Sequence, residues 1–222
     1  MWSFYFHELM RSLPFFLKGL WMTVAVAGLS LIAATIIGFI WGIMRASRNK
    51  ILRSIIGAWV DLIRGTPFLV QVFIVFFILP SAGIELEAFP AAVIALSNMG
   101  ASFICEIVAG GIKAVPRGQW EAASSSGLNL YQQLRYVVVP QSLQTVLPPL
   151  VGQYVLLIKD SSVVSVIGVM DLTRVGWVTV NRIPEGLMVF SLVGLLYFSI
   201  SYPLIRLSNR LEKKMATQQV ML

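Results

Sequence analysis

Hydrophobic positions along this chain come in long uninterrupted blocks, not in the alternation or one-sided periodicity of a water-soluble fold. Five charge-free runs stand out: Gly19 to Met44, Gly65 to Ile84, Ala88 to Cys105, Tyr136 to Ile158 and Gly186 to Ile205. A helix needs about 20 residues to cross a hydrocarbon core, so the pattern predicts an all-α membrane protein with five transmembrane helices. The second span is expected to begin earlier, near Leu52, and to carry Asp61 and Arg64 on its inner half; the third continues past Glu106 to Ile112. An odd number of spans puts the two termini on opposite sides of the membrane.

Between the third and fourth runs lies a polar, Ser-rich break, Gln119-Trp120-Glu121-Ala122-Ala123-Ser124-Ser125-Ser126-Gly127. Its local chemistry predicts two short helices. Gly118 serves as N-cap of the first, putting Glu121 at the third helical position, and Gly127 supplies the left-handed residue that ends it. Asn129 followed by Gln132 repeats the capping logic for a second helix through Leu134. Glu121 either caps its own helix or reaches a partner protein, and one carboxylate can do both.

Composition agrees with the pattern: 57% hydrophobic residues, 12% charged and a mean hydropathy of +0.81 exceed what a soluble domain of 222 residues can hide. The single Cys105 lies in an apolar run and excludes an internal disulfide, and the lone His7 forms no metal cluster. The net charge of +7 reads as topology, because the basic residues flank the apolar runs. Arg45, Arg48, Lys50, Arg53, Lys113, Arg117, Arg135, Arg206, Arg210, Lys213 and Lys214 fall on one side, and Arg11, Lys18, Lys159, Arg174 and Arg182 on the other. Eleven against five puts the Glu121 loop and the C-terminus in the cytoplasm and the N-terminus outside. Glu85, Glu87, Asp160, Asp171 and Glu185 then fall in outer loops. No cleavable signal peptide is expected, the first span acting as its own insertion signal.

The chain divides into an interfacial segment 1–18 with Trp2, Phe4, Tyr5 and Phe6, a membrane domain 19–207 containing the loop 114–135, and a polar, mobile tail 208–222. In the first span Gly19, Gly28, Gly38 and Gly42 allow close helix approach, and Thr23 can satisfy its hydroxyl on the backbone. Arg64-Gly65-Thr66-Pro67, with Gln71 one turn on, predicts a kink in the second span. Asp61, Arg64 and Glu106 lie at similar depth and are expected to pair, as a structural ion pair or inner gate; a proton relay is the lesser alternative. Asn98 in the third span is helix glue or a substrate contact. The fourth span is expected to be the most irregular, with Pro140, Pro148 and Pro149 breaking its ladder and Gln153 and Asp160 on one face, so it should line the pathway. After Asp160-Ser161-Ser162, the run Val163 to Met170 is too short to cross and predicts a buried or re-entrant piece.

There is no Gly-x-x-x-x-Gly-Lys-Ser/Thr loop, no convergent acid, base and nucleophile, and no His/Cys cluster. The chain is therefore expected to be no enzyme, to hold neither metal nor cofactor, and to carry no energy source of its own. Arg64-Gly65-Thr66-Pro67-x3-Gln71, Glu106-Ile107, Pro116-x2-Gln119-x-Glu121-Ala122-Ala123, Pro140-Gln141 and Lys159-Asp160-Ser161-Ser162 occur in one order. That order resembles the permeases of bacterial polar amino-acid ATP-binding-cassette importers, the histidine/glutamine/arginine/glutamate permease family. Val137 and Val139 stand where that family more often has Ile and Leu.

The resemblance implies a type I importer fold in the bacterial inner membrane and a permease dimer of identical or related chains. It also implies two ATPase subunits holding ATP and Mg, and an extracytoplasmic amino-acid-binding protein. Gln119, Glu121, Ala122, Ala123 and Gly127 would form the coupling helix that docks on the ATPase, driving alternating access. A mid-membrane substrate site falls by position on Asn98, Gln153 and Asp160, and neutral Gln153 leans the substrate toward a polar neutral or acidic amino acid. Nucleic acid is not an expected partner. The competing class is an ion-coupled carrier using Glu106 and Asp61, which gives the Glu-Ala-Ala loop no role; a scaffold without transport leaves the prolines of the fourth span unexplained.

Overall fold

The computed structural model describes residues 2–47 and 49–220, with side chains described except at 2, 3 and 216–220. Arg48 and the side chain of Trp2 therefore lie outside the described residues. Helix α1 (Trp2–Arg11) leads into α2 (Leu13–Ala46), then α3 (Lys50–Gly65) and α4 (Phe68–Phe73), which runs through a π-helical turn at Ile74–Ile78 and a 3-10 turn at Leu79–Ala82. Next come α5 (Ala88–Ala114), α6 (Arg117–Ser125) and α7 (Leu130–Gln133), which passes through a second π-helical turn, Leu134–Val138, into α8 (Val139–Asp160). A 3-10 helix, Ser161–Ile167, α9 (Leu172–Val180) and α10 (Gly186–Val220) complete the order, and no strand occurs among the described residues.

Four stretches are long and apolar enough to cross a membrane: Leu13–Ala46, Ala88–Ala114, Leu130–Ile167 and Gly186–Met215. The fifth expected span is a bent pair, Lys50–Gly65 with Phe68–Ala82, turned by 107°. The expected kink at Pro67 is thus a full break, and the part beginning near Leu52 is a separate helix. The cause is local: Pro67 has no N–H to continue the ladder and holds Thr66 extended (φ −110°, ψ 143°). The orphaned end of α3 is satisfied from beyond the break, because the buried Gln71 Nε2 donates to Ile63 O at 2.7 Å, Thr66 O at 3.1 Å and Thr66 Oγ1 at 3.1 Å.

The fourth span is irregular as expected, but the sharpest break is at Pro67 in the second. Pro148 and Pro149 sit inside a continuous α8, and Pro140 falls in its first turn, where a missing N–H costs little. The irregularity is displaced to the π turn before it. As expected, the segment after Asp160 is a short, partly buried piece, the 3-10 helix burying Ser161, Val164 and Ile167. The last span does not stop at Arg206, because α10 continues to Val220 and the buried Ser208 donates to Pro148 O of α8 at 3.3 Å.

The core is a parallel seam between α2 and α5, with α8 antiparallel across it. A Cβ on Gly38 would fall 2.6 Å from Ile104 and 2.9 Å from the Ala101 carbonyl oxygen; one on Gly42, 2.6 Å from Val108 and 3.0 Å from the Cys105 carbonyl oxygen. Gly100 of α5 is filled in the same way by Leu157 of α8, and Gly111 by Val146. Without a hydrophobic drive between helices in lipid, this backbone proximity supplies dispersion contacts. Gly19 likewise admits α9, whereas Gly28 has nothing within 4 Å of a Cβ, so its expected packing role is withdrawn.

A second cluster joins α1, the start of α2, α9 and α10 through Leu9, Phe16, Leu172, Val175 and Val189. At its heart the fully buried Asp171 caps α9, accepting from Arg174 N–H at 2.9 Å and from the Tyr197 hydroxyl at 3.2 Å. Thr23 Oγ1 accepts from the Leu172 N–H at 3.0 Å, a backbone group far away in the chain, not the local one expected. Asp171 is thus no exposed loop acid.

Gly38→Val is expected to lower detergent-state stability by about 2 kcal/mol through overpacking against carbonyl oxygens that cannot rotate away. Gly28→Ala should leave it unchanged or slightly raised, and the two thermal midpoints decide. Burial pushes the Asp171 carboxyl up to about 6 from its ordinary 3.8, against the lowering effect of its hydrogen bonds. A carboxyl raised on folding contributes stability fully below its unfolded value, and that contribution disappears as pH rises through the folded one. Melting between pH 4 and pH 7, about the span of that shift, should show the native chain losing stability and Asp171→Asn holding nearly flat.

Candidate coupling loop and membrane polar sites

The turn chemistry of the loop forms largely as the residues dictate. Gly127 adopts φ +76°, a left-handed conformation that a side chain would strain. Leu128 N–H reaches Ala123 O at 3.2 Å and Gly127 N–H reaches Ser124 O at 3.0 Å, the paired closure of a Schellman end. Asn129 and Gln132 make the reciprocal capping box at 3.0 and 2.9 Å.

The start of α6 differs from expectation. Pro116, not Gly118, is the N-cap, since its fixed φ of −55° and absent N–H suit the residue before the first helical turn. Glu121 therefore lies at the fifth helical position, beyond reach of the free N–H groups, and makes no hydrogen bond or ion pair with any described residue. Its self-capping reading falls away. Other residues of α6 hold it to the bundle: Ala123 is buried, Trp120 packs against the core, and the exposed Gln119 accepts through Oε1 from Gln141 Nε2 of α8 at 3.1 Å. Gln141 also donates to Val137 O at 2.9 Å, fixing its amide. Glu121 and Ala122 are exposed, and Glu121 borders a cavity of about 510 Å³ between the loop, Met44, Leu52 and Ile112.

The membrane charges do cluster, about a residue that the spacing argument did not single out. Arg45 Nε lies 2.6 Å from Glu106 Oε1, and its Nη2 3.3 Å from Asp61 Oδ1; Arg64 Nη1 is 3.5 Å from Glu106 Oε2. Asp61 and Arg64, three residues apart, do not pair with each other. Arg64 instead lies over the Phe103 ring at 5.4 Å. The Arg45 side chain is only 15% exposed, and Gly57 of α3 leaves room for it, a Cβ there falling 3.3 Å from Nη1. The cluster ties α2, α3 and α5, and no sequence spacing could have found a partner 61 residues away.

Asn98, Gln153 and Asp160 are not linked by any hydrogen bond among the described residues. Asn98 Oδ1 accepts from Trp59 Nε1 of α3 at 3.1 Å, joining two helices as the glue reading expects. Gln153 is buried in α8, and Asp160 is half-buried at its end. Tyr154, beside Gln153, shares a hydrogen bond with Thr35 of α2 at 2.9 Å.

The structure is a bundle of broken and tightly seamed membrane helices carrying one structured polar loop. The chain belongs to the family described as "Binding-protein-dependent transport system inner membrane component", whose model matches residues 34–217. It is therefore a multi-pass inner-membrane permease. It is 36% identical over 203 residues to the "Probable glutamine ABC transporter permease protein GlnP" of Bacillus subtilis (strain 168), covering 90% of this chain and 93% of that protein. The "Glutamine transport system permease protein GlnP" of Escherichia coli (strain K12) is 33% identical over 206 residues, covering 92% and 94%. Among solved structures, the "Crystal structure of an amino acid ABC transporter with histidines" superposes with a TM-score of 0.85 at 31% identity, covering 94% of this chain and 98% of that one.

Arg45→Ala is expected to cost about 1–3 kcal/mol, because it leaves the part-buried Glu106 carboxylate with Arg64 alone, at 3.5 Å, and takes the cation from Asp61. Adding Glu106→Ala should recover part of that loss; a double variant as unstable as the sum of the singles would show that the pair is not coupled.

Proposed function

We propose that the chain is the pathway subunit of an ATP-driven amino-acid importer, working as a dimer of identical or related permeases. A separate ATPase docks on α6, and an extracytoplasmic binding protein delivers the amino acid from the opposite side. ATP and Mg belong to the ATPase, and this chain performs no catalysis. Its C-terminus and the Glu121 loop face the cytoplasm, and its N-terminus faces outside.

The observation that carries this reading is the division of α6 into two faces. Trp120, Ala123 and Gln119 fasten the helix to the core and to α8, while Glu121 and Ala122 stand exposed and without an internal role. A helix so fixed on one side and unpartnered on the other can pass a displacement from a docked protein into α8. ATP binding would then draw the two loops together and open the pathway outward, and hydrolysis would reset it.

On α8 we place substrate contacts at Gln153 and Asp160. Asn98 contributes its amide NH2, since only its Oδ1 is taken by Trp59. The relatives named for glutamine support a polar amino acid as cargo. The ion-coupled alternative is the weaker reading, because Glu106 and Asp61 share the permanently charged Arg45, which opposes a proton cycle at either carboxylate.

Glu121→Lys is expected to abolish co-purification of the ATPase from detergent while leaving the permease folded, with uptake in reconstituted vesicles reduced to background. Retention of the ATPase by Glu121→Lys at native stoichiometry would remove α6 as the docking element.

A further inference from the structure

The unbroken course of α10 past its apolar part sorts residues that the sequence leaves as a polar tail. At about 100° per residue, Arg206, Arg210, Lys213 and Lys214 occupy an arc of about 100° on one side of the helix. All four are exposed. The acid in this stretch, Glu212, borders the same surface depression as Arg206, Arg210 and Lys213, but its carboxylate accepts from Ser208 at 3.3 Å, toward the side that packs against α8. Upstream, the cationic stripe continues into exposed apolar residues, Leu195, Phe198 and Tyr202, which are 65%, 54% and 41% exposed. The Phe198 and Tyr202 rings meet at 5.0 Å, and the Arg206 guanidinium lies 5.5 Å over Tyr202.

One continuous helix face thus runs from aliphatic through aromatic to cationic as it leaves the span. That is the polarity profile of a leaflet read from acyl chains to headgroups. We propose that this face of α10 binds anionic phospholipid headgroups, with Arg206 and Arg210 at the phosphate level and Lys213 and Lys214 reaching further out. A second copy of the chain is disfavoured as occupant, because a two-fold contact here would set the same cations against each other. The orientation proposed above matters only for assigning the leaflet.

The test uses the permease purified with its ATPase and exchanged into bilayers of phosphatidylglycerol and phosphatidylcholine in equal parts, reading the headgroups retained against those supplied by mass spectrometry. The native complex should enrich phosphatidylglycerol, and the combined Arg206→Gln, Arg210→Gln, Lys213→Gln and Lys214→Gln variant should lose that enrichment by about fivefold or more. High salt should weaken the native preference, as screening requires. If the fourfold variant does not assemble, Arg206→Gln with Arg210→Gln is read instead, and Arg206→Lys with Arg210→Lys should retain the enrichment. An absence of enrichment in the native complex, or enrichment that survives neutralisation, overturns the proposal. So does a variant that keeps its lipid preference but sheds the ATPase, which would assign the stripe to that subunit.

Discussion

A peptide group in hydrocarbon has no water to turn to, and this fold depends on that constraint. At the end of α3 and the start of α9, where the chain interrupts a helix, polar side chains meet the exposed backbone. Gln71 closes the end of α3 across the Thr66-Pro67 break. Thr23 takes the Leu172 N–H, and Asp171 takes that of Arg174. These polar residues look anomalous in apolar surroundings until the backbone is counted. Each then permits a bend that an all-apolar sequence could not hold, at a cost of several kcal/mol for each group left unmet.

The bends matter because the elements between them are stiff. Gly38 and Gly42 bring α2 and α5 within backbone contact, and Gly100 and Gly111 extend the contact to α8, so the three helices are packed without slack. Arg45 adds α3 through Asp61, and Glu106 of α5 adds it again through Arg64. The loop helix α6 is fixed to this unit at both levels, by the packing of Trp120 and by the amide pair of Gln119 and Gln141. A packed interior deforms little under load, so a force on α6 is expected to move bodies of helices instead of being absorbed locally.

What could be read in the sequence follows from how local each demand is. The apolar runs announce spans because crossing a bilayer is a property of one segment. Gly127 and the pair Asn129 and Gln132 announce turns because their bonds close within a few residues. The start of α6 is local yet ambiguous in the sequence, because Gly118 can cap a helix while Pro116 fills the position by having no N–H to satisfy. Arg45, Trp59 and Thr23 were illegible as partners because their bonds span 61, 39 and 149 residues. Gly28 and Gly38 are identical in sequence terms, and only the neighbouring helix decides which one is a contact.

Two buried glutamines differ in what the fold asks of them. Gln71 and Gln153 are both buried glutamines in apolar helices and could not be ranked from the sequence. In the folded chain the Gln71 NH2 is spent on Ile63 and Thr66, so it can offer its donors only by unmaking the break it holds together, while its Oε1 is buried without a partner. Gln153 makes no hydrogen bond with a described residue, and its amide atoms are not sealed from the surface as Gln71 Oε1 is, so a partner from outside the chain can reach them. In a permease that partner can be water or a passing solute. Gln153 is thus a polar group of α8 that no bond in the fold uses, and α8 is also the helix to which α6 is tied.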